Sequence, residues 1–284
     1  MIPSAFDYAR PSTVEEAVRT LAEAGEDAKV LAGGQSLLPV LRMRLAAPTM
    51  IVDLGRVPEL RGVREDGDNL VIGAMTTHYD VARDHLVQDH ASLIARATET
   101  VADPQVRHRG TFGGSLAHAD PAGDLPAVAL ALGAVMVVEG PSGRREIPAA
   151  DFFVDYFTTS LAPDELLVAV VIPKHTGWLS HYEKFNRVAQ AWSIVAVGVS
   201  LQVSGGTIAG ARVGLTNMAS VPVRAVAVEH ALIGQSPGAD VLRAAAEHAA
   251  EGTSPGTDGN GDAEYRSQLA RVLTGRALAI AVGG

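Results

Sequence analysis

The 284-residue chain contains no cysteine. This excludes disulfides, a cysteine-ligated zinc, an iron–sulfur cluster held by this chain and a thiol nucleophile, and it fits a reducing cytosol. Positive charge is scarce. Lys plus Arg number 23 against 32 for Asp plus Glu, a formal charge of −9 with His neutral. A general phosphate-backbone binder is therefore not expected, and we expect no nucleic-acid partner. Long apolar runs are missing. The longest, Ala127 to Val138, is broken by Gly133 and falls short of the roughly 20 residues a bilayer requires. The opening Met1-Ile2-Pro3-Ser4-Ala5-Phe6-Asp7-Tyr8 has no basic head before an apolar stretch. These absences lead us to expect a soluble, cytoplasmic chain. The commonest nucleotide and hydrolase motifs are missing too. There is no Gly-x-x-x-x-Gly-Lys-Ser/Thr, no Gly-x-Gly-x-x-Gly after a strand, no His-Glu-x-x-His and no Gly-x-Ser-x-Gly. The nine histidines lack metal-ligand spacing.

What is present is a globular composition. Hydrophobic residues make up 47% and charged residues 19%, enough to build a sizeable core, and the length suggests about two domains. Ser12-Thr13-Val14-Glu15 reads as a capping box before a helix that Gly25 ends. Lys29–Ala32 reads as a buried strand, Leu37–Leu45 as a short helix and Met50–Leu54 as a second strand. Further on we expect a strand at Leu70–Ala74 and helices over about Thr77–Asp84 and His90–Thr100. A hairpin joins Val135–Glu139 to Arg144–Ile147, and Leu166–Ile172 is a buried strand. Between them Asp103 to Pro126 is rich in Gly, Pro and polar side chains, including His118, and reads as one long functional loop. His175-Thr176-Gly177 is the expected domain boundary. Beyond it come three strands (Tyr182–Arg187, Ile194–Val203 and Thr207–Thr216), then helices at Arg224–Leu232, Asp240–Glu251 and about Glu264–Ala281. A flexible polar loop, Gly252 to Gly261, separates the last two. The class is α+β.

Three clusters could carry chemistry. Ala32-Gly33-Gly34-Gln35-Ser36 follows a strand and precedes a helix. Its consecutive N–H groups could form an anion-binding nest, or the segment could be an ordinary strand–turn–helix. Thr111-Phe112-Gly113-Gly114-Ser115 repeats the Gly-Gly theme, and Asp124 opens an apolar helix either as an N-cap or as an acceptor for ligand hydroxyls. A diphosphate-containing cofactor between the two Gly-Gly loops is a natural use of them. In the third cluster, strand alternation separates Lys184 and Asn186 from Phe185 and Arg187. Trp192 reads from the residues alone as a core side chain or a ligand contact.

Ala32-Gly33-Gly34-Gln35-Ser36-Leu37, Asp103-Pro104-Gln105-Val106-Arg107, Gly110-Thr111-Phe112-Gly113-Gly114-Ser115 and Asp120-Pro121-Ala122-Gly123-Asp124-Leu125-Pro126-Ala127 resemble the FAD-binding subunits of molybdenum hydroxylases, the xanthine oxidase family. The resemblance covers almost the whole chain. Val71 to Thr77, Gly214-Leu215-Thr216-Asn217 and Asp258-Gly259…Ala263-Glu264-Tyr265-Arg266 are most similar to its carbon monoxide dehydrogenase branch. It implies a vanillyl-alcohol-oxidase-like (PCMH-type) two-part FAD-binding domain at 1–176 (1–55 and 56–176), then a small antiparallel three-stranded sheet with helices at 177–284. It also implies an electron-transfer oxidoreductase subunit with FAD on this chain. A large subunit would hold molybdenum–cytosine-dinucleotide and a small subunit two [2Fe–2S] clusters, in a dimer of heterotrimers. Electrons would pass to an acceptor such as a quinone, in the cytoplasm or, through the complex, at the inner face of the membrane. The same family includes enzymes of caffeine, nicotine, aldehydes and aromatic acyl thioesters, and a stand-alone FAD oxidoreductase is a further alternative.

By the resemblance, Val30, Leu31, Ala32, Gly33, Gly34, Gln35, Ser36 and Leu37 touch the FAD pyrophosphate and ribityl. Thr111, Gly113, Gly114 and Ser115 clamp the other side, Asp124 bonds FAD hydroxyls, and Val101 lines the cavity. Leu167 and Lys184 lie near the isoalloxazine ring, and Trp192 shields one of its faces. No residue is expected to act as a general acid or base, and no metal site is expected on this chain. Valine at both Gly113 and Gly114 is expected to abolish FAD retention by blocking close approach. Gln35, Ser115 and Trp192 replace the His, Asn and Tyr of the family pattern.

Overall fold

A computed structural model describes residues 2–283. Met1 and Gly284, the outer ends of the expected domains, lie outside them. The first helix, Val14–Ala24, shows how local chemistry sets an element. The Thr13 hydroxyl accepts from the Glu16 N–H at 3.1 Å, and the Glu16 carboxylate accepts from the Ser12 N–H at 2.8 Å. Thr13 rather than Ser12 is thus the cap, and Glu16 rather than Glu15 reaches back, to the N–H of Ser12 and not of the cap residue, so the reciprocal box expected from the sequence is not formed. Val14, Ala17, Val18 and Leu21 form its buried stripe, and Gly25 at φ 77° closes it.

Three sheets organise the chain. Met50–Asp53 lies between Asp7–Ala9 and Ala28–Leu31 and is parallel to both. A five-stranded sheet runs in the order Val63–Asp66, Asn69–Gly73, Leu166–Pro173, Val135–Gly140, Gly143–Pro148, all antiparallel. A four-stranded antiparallel sheet follows: Leu179–Phe185, Val195–Ser204, Thr207–Thr216, Val223–Arg224. A further hairpin pairs Phe153–Asp155 with Thr158–Thr159.

The expected three-stranded sheet therefore has a fourth strand. It is only Val223–Arg224, just after Pro222, too short for alternation to show. Asp7–Ala9 escaped for the same reason. The long loop from Asp103 to Pro126 is instead folded into helices at Pro104–Arg107 and Phe112–His118. Its loop-like residues are start signals. Asp103 accepts from the Val106 N–H, Pro104 occupies the first helical position, and Thr111 accepts from the Gly114 N–H. The Gly252–Gly261 segment is tethered rather than free. The Ser254 N–H donates to the Met218 carbonyl, and Asp258 pairs with Arg266.

The cores run across these boundaries. Leu60, Met75, Val137 and Leu166 pack with Val18, Leu21 and Val52. Tyr182 and Ala196 of the four-stranded sheet join the core built on Leu93, Phe112 and Val128. The other face of that sheet, with Val195, Val197 and Val199, packs on the C-terminal helix Ala263–Gly283 through Leu273, Ala277 and Leu278. The inner face carries small residues because the helix Asp124–Ala131 lies directly upon it. A Cβ at Gly214 would fall 2.3 Å from the Ala127 carbonyl oxygen. No helix among the described residues is long and apolar enough to cross a membrane.

Candidate functional site

The strand Ala28–Leu31 delivers its C-terminal end to Ala32-Gly33-Gly34-Gln35-Ser36, and the helix Leu37–Arg42 leads away. Gly34 sits at φ 77°, a conformation side chains disfavour. The N–H groups of Gly34, Gln35 and Ser36 have no hydrogen-bond partner within the described residues. Three consecutive free donors on a turn form a nest for an anion. The loop is braced from behind. A Cβ at Gly33 would meet the Arg109 carbonyl oxygen at 2.2 Å, so the first Gly-Gly loop lies on the backbone that leads into the second.

The second Gly-Gly pair has a different role. It lies in the first turn of Phe112–His118, and its donors are spent: Phe112 N–H on Thr76 O at 2.9 Å, Gly113 N–H on Ala74 O at 2.9 Å, and Gly114 N–H on the Thr111 hydroxyl at 3.2 Å. A Cβ at Gly113 would fall 2.5 Å from that of Ala74. Gly113 therefore lets the helix seat on the end of the strand Asn69–Gly73, and what its Cβ would block is the protein itself rather than a ligand. Gly114 is where the two loops touch, since its Cβ would lie 3.3 Å from the Ala32 Cβ.

Asp124 is not an N-cap. Gly123 holds that position and Asp124 begins the helix Asp124–Ala131, with its side chain turned into a buried network. Oδ1 accepts from the Tyr182 and Ser193 hydroxyls, both at 2.8 Å, and Oδ2 from Lys184 Nζ at 2.8 Å. Lys184 also donates to the Thr100 carbonyl at 3.2 Å. Its side chain is 7% exposed and that of Asp124 3%, so this is a buried ion pair and not a solvated strand edge. Alternation explains it, because Ser180, Tyr182 and Lys184 share the inward face of Leu179–Phe185. Burial pushes the Asp124 carboxyl up, opposed by Lys184 and the two hydroxyls, and pushes the Tyr182 hydroxyl well up.

These parts surround one cavity of about 620 Å³, a size typical of small-molecule and cofactor sites. Of the expected residues, Val30, Ala32, Gly33, Gly34, Gln35, Ser36 and Leu37 line one side. Val101, Thr111, Gly114, Ser115, Asp124, Lys184 and Trp192 line the rest. Leu31, Gly113 and Leu167 do not line it. Leu167 is a core residue beside a bulge in the strand Leu166–Pro173. Trp192 is 54% exposed, which excludes core packing. It stands at the mouth, its ring centroid 6.5 Å from that of His118, which in turn is 5.2 Å from Phe157.

Sequence reasoning missed Tyr182 and Ser193. Tyr182 was within reach of the period-2 argument that paired Lys184 with its neighbours, whereas nothing near Ser193 marked it. It also missed His78, which is buried against Gly110 and lines the cavity with its Nδ1 unpartnered. Burial and the nearby Arg107 hold the His78 ring down to about 4.

An anion nest, a buried cation–carboxylate pair and an exposed indole around a single cleft suit a large ligand with a phosphate and a flat ring. Residues 4–175 match the family of the FAD binding domain in molybdopterin dehydrogenase, and residues 180–281 match the CO dehydrogenase flavoprotein C-terminal domain. The chain is 42% identical to the carbon monoxide dehydrogenase medium chain of Hydrogenophaga pseudoflava over 98% of this chain and 97% of that one. It is 39% identical to the nicotine 6-hydroxylase medium subunit of Paenarthrobacter nicotinovorans over 96% of both. A solved structure of the Hydrogenophaga pseudoflava carbon monoxide dehydrogenase superposes with a TM-score of 0.96 and 43% identity, over 100% of this chain and 99% of that one. The chain belongs to the FAD-binding medium-subunit family of the molybdenum hydroxylases. The cavity suits FAD on the structure's own terms: three free N–H donors for a diphosphate, a cleft of sufficient size, and an aromatic side chain at its mouth.

Proposed function

We propose that this chain carries FAD as the electron-transfer subunit of a molybdenum hydroxylase that oxidises carbon monoxide with water to carbon dioxide. The observation that carries the reading is that the free N–H row of Gly34, Gln35 and Ser36 opens into the same cavity as Lys184, Asp124 and Trp192. The similarity to carbon monoxide dehydrogenase medium chains supports the substrate, which a partner would bind. A large subunit with the molybdenum cofactor and a small one with two [2Fe–2S] clusters complete the assembly, as a dimer of heterotrimers. It lies in the cytoplasm or at the inner face of the membrane, with an acceptor such as a quinone. The chain divides at 176/177 between the cofactor domain and the sheet domain.

FAD held here would supply reversible uptake of electrons and their release to an external acceptor. The protein's part is to place it and tune it. The nest at Gly34–Ser36 would hold the diphosphate with fixed dipoles. Thr111 and Ser115 offer hydroxyls from the facing helix. Lys184, held by Asp124 and Thr100, would have one ammonium proton left to donate to a group bound in the cavity. Trp192, exposed in the cavity lining, would cover a flat ring bound there. No side chain here needs to exchange a proton with a substrate.

The natively purified complex tests the reading. Flavin absorbance together with iron–sulfur absorbance, bleached on adding carbon monoxide, is the expected result. Bleaching by nicotine but not by carbon monoxide would move the substrate to that branch, and a colourless preparation that takes up no added FAD would overturn the cofactor assignment.

A further inference from the structure

Two sequence segments that the cofactor reading leaves idle, Gly214–Asn217 and Asp258–Arg266, meet behind the wall of the cavity. Arg266, on the first turn of the C-terminal helix, is 2% exposed. Its Nη1 donates to the Ile194 carbonyl and its Nη2 to Asp258 Oδ1 at 2.7 Å, while Nε is buried without a partner. Asn217 holds the left-handed φ of 62°. Its Nδ2 donates to the Ser193 carbonyl at 2.9 Å and to the Ile194 carbonyl at 3.2 Å. Its own N–H donates to the Pro121 carbonyl at 2.8 Å, on the segment that leads into Asp124. Two carbonyls in succession are thus gripped by two side chains from different elements. The gripped residues flank the working ones: Trp192 precedes them at the cavity mouth, and the Ser193 hydroxyl donates to Asp124.

A guanidinium is expensive to bury. One buried with a donor unused, and spent on a main-chain carbonyl beside a cofactor cleft, is poor design for stability alone. A planar fork does suit fixing a backbone in one place. We propose that Arg266, braced by Asp258, and Asn217 are positioning residues. They clamp the Ser193–Ile194 backbone and so set the pose of Trp192 over the cofactor ring and the hold of Ser193 on Asp124. The C-terminal helix thereby governs the flavin environment without touching it. This rests on the cofactor reading above.

The test uses the natively purified complex and flavin as its own reporter. Arg266→Lys keeps the charge but loses the fork, so one ammonium must serve both Ile194 and Asp258. The expected result is unchanged FAD content with flavin fluorescence raised several-fold and altered visible circular dichroism, the signature also given by Trp192→Ala. The double variant should be no brighter than Trp192→Ala, because both act through the same indole. Arg266→Lys that lowers the melting temperature yet keeps wild-type fluorescence and dichroism would reduce the clamp to a stability device and overturn the proposal. So would a double variant that shows both increments in full. If Arg266→Lys does not fold, Asp258→Ala, which removes a half-exposed brace, carries the same comparison. A wild-type complex without flavin absorbance would overturn the cofactor reading itself, and is distinguished before any variant is made.

Discussion

His78 is a neutral ring buried under Gly110 in the cavity wall, among groups that give its Nδ1 no partner. Its folded value of about 4 lies below the 6.5 of an exposed histidine. Between those two values the unfolded chain binds a proton that the folded chain refuses, so stability is complete above the upper value and falls as the pH drops toward the lower. A gap of this size corresponds to about 3 kcal/mol. His78→Gln should flatten the dependence of melting temperature on pH across that window relative to wild type. An unchanged slope would show that other groups set it. Nothing in the sequence marked His78, because a lone histidine at a helix start looks like any other until the chain closes over it. Lys184 and Asp124 were both legible as residues of interest, but their pairing was not. They lie 60 positions apart, and only the packing of the helix Asp124–Ala131 on the strand Leu179–Phe185 brings them together.

At the scale of elements, the periodic segments were readable and the punctuated ones were not. Val14–Ala24, Val135–Gly140 with its hairpin partner, and the long strands Val195–Ser204 and Thr207–Thr216 all followed from spacing and turn residues. Phe112–His118 was hidden, because two glycines at a helix start resemble a loop, and the reason they are tolerated lies in a tertiary contact with Ala74. That contact separates the two glycines experimentally. Gly113→Ala should destabilise the protein by about 1–3 kcal/mol with or without FAD, since the clash is internal. Gly114→Ala would set its methyl 2.6 Å from the Thr111 hydroxyl and 3.3 Å from the Ala32 Cβ, so it should cost apo stability and, because Thr111 and Ala32 both line the cavity, FAD retention as well. Chemical denaturation of the apo and loaded forms reads both, and equal losses of FAD with no loss of apo stability at Gly113 would contradict the packing argument.

Across the whole molecule, the two parts expected from the sequence are joined more closely than their boundary suggests. Tyr182 and Ala196 belong to the same core as Phe112 and Val128. The four-stranded sheet supplies Lys184, Ser193 and Tyr182 to a carboxylate on the preceding part, and Asn217 reaches back to Pro121. Calorimetry should therefore record one cooperative transition that moves upward as FAD is added. Two separated transitions would show that the shared core is too weak to couple the halves. The arrangement was invisible in the chain because small inward residues such as Ala196, Gly198 and Gly214 advertise no hydrophobic face, yet they are what allows a helix to lie against the sheet.

The free N–H groups of Gly34, Gln35 and Ser36 have one more consequence. Peptide dipoles do not titrate. A ligand anchored by its phosphates on that turn is gripped equally in acid and in alkali for as long as the turn keeps its shape. The same cavity is also lined by Asp124, a carboxyl that does titrate and that burial pushes up. Acidity would thus change the charge of the cavity wall while the tether stays indifferent, so holding a ligand and setting the charge around it are physically separate controls.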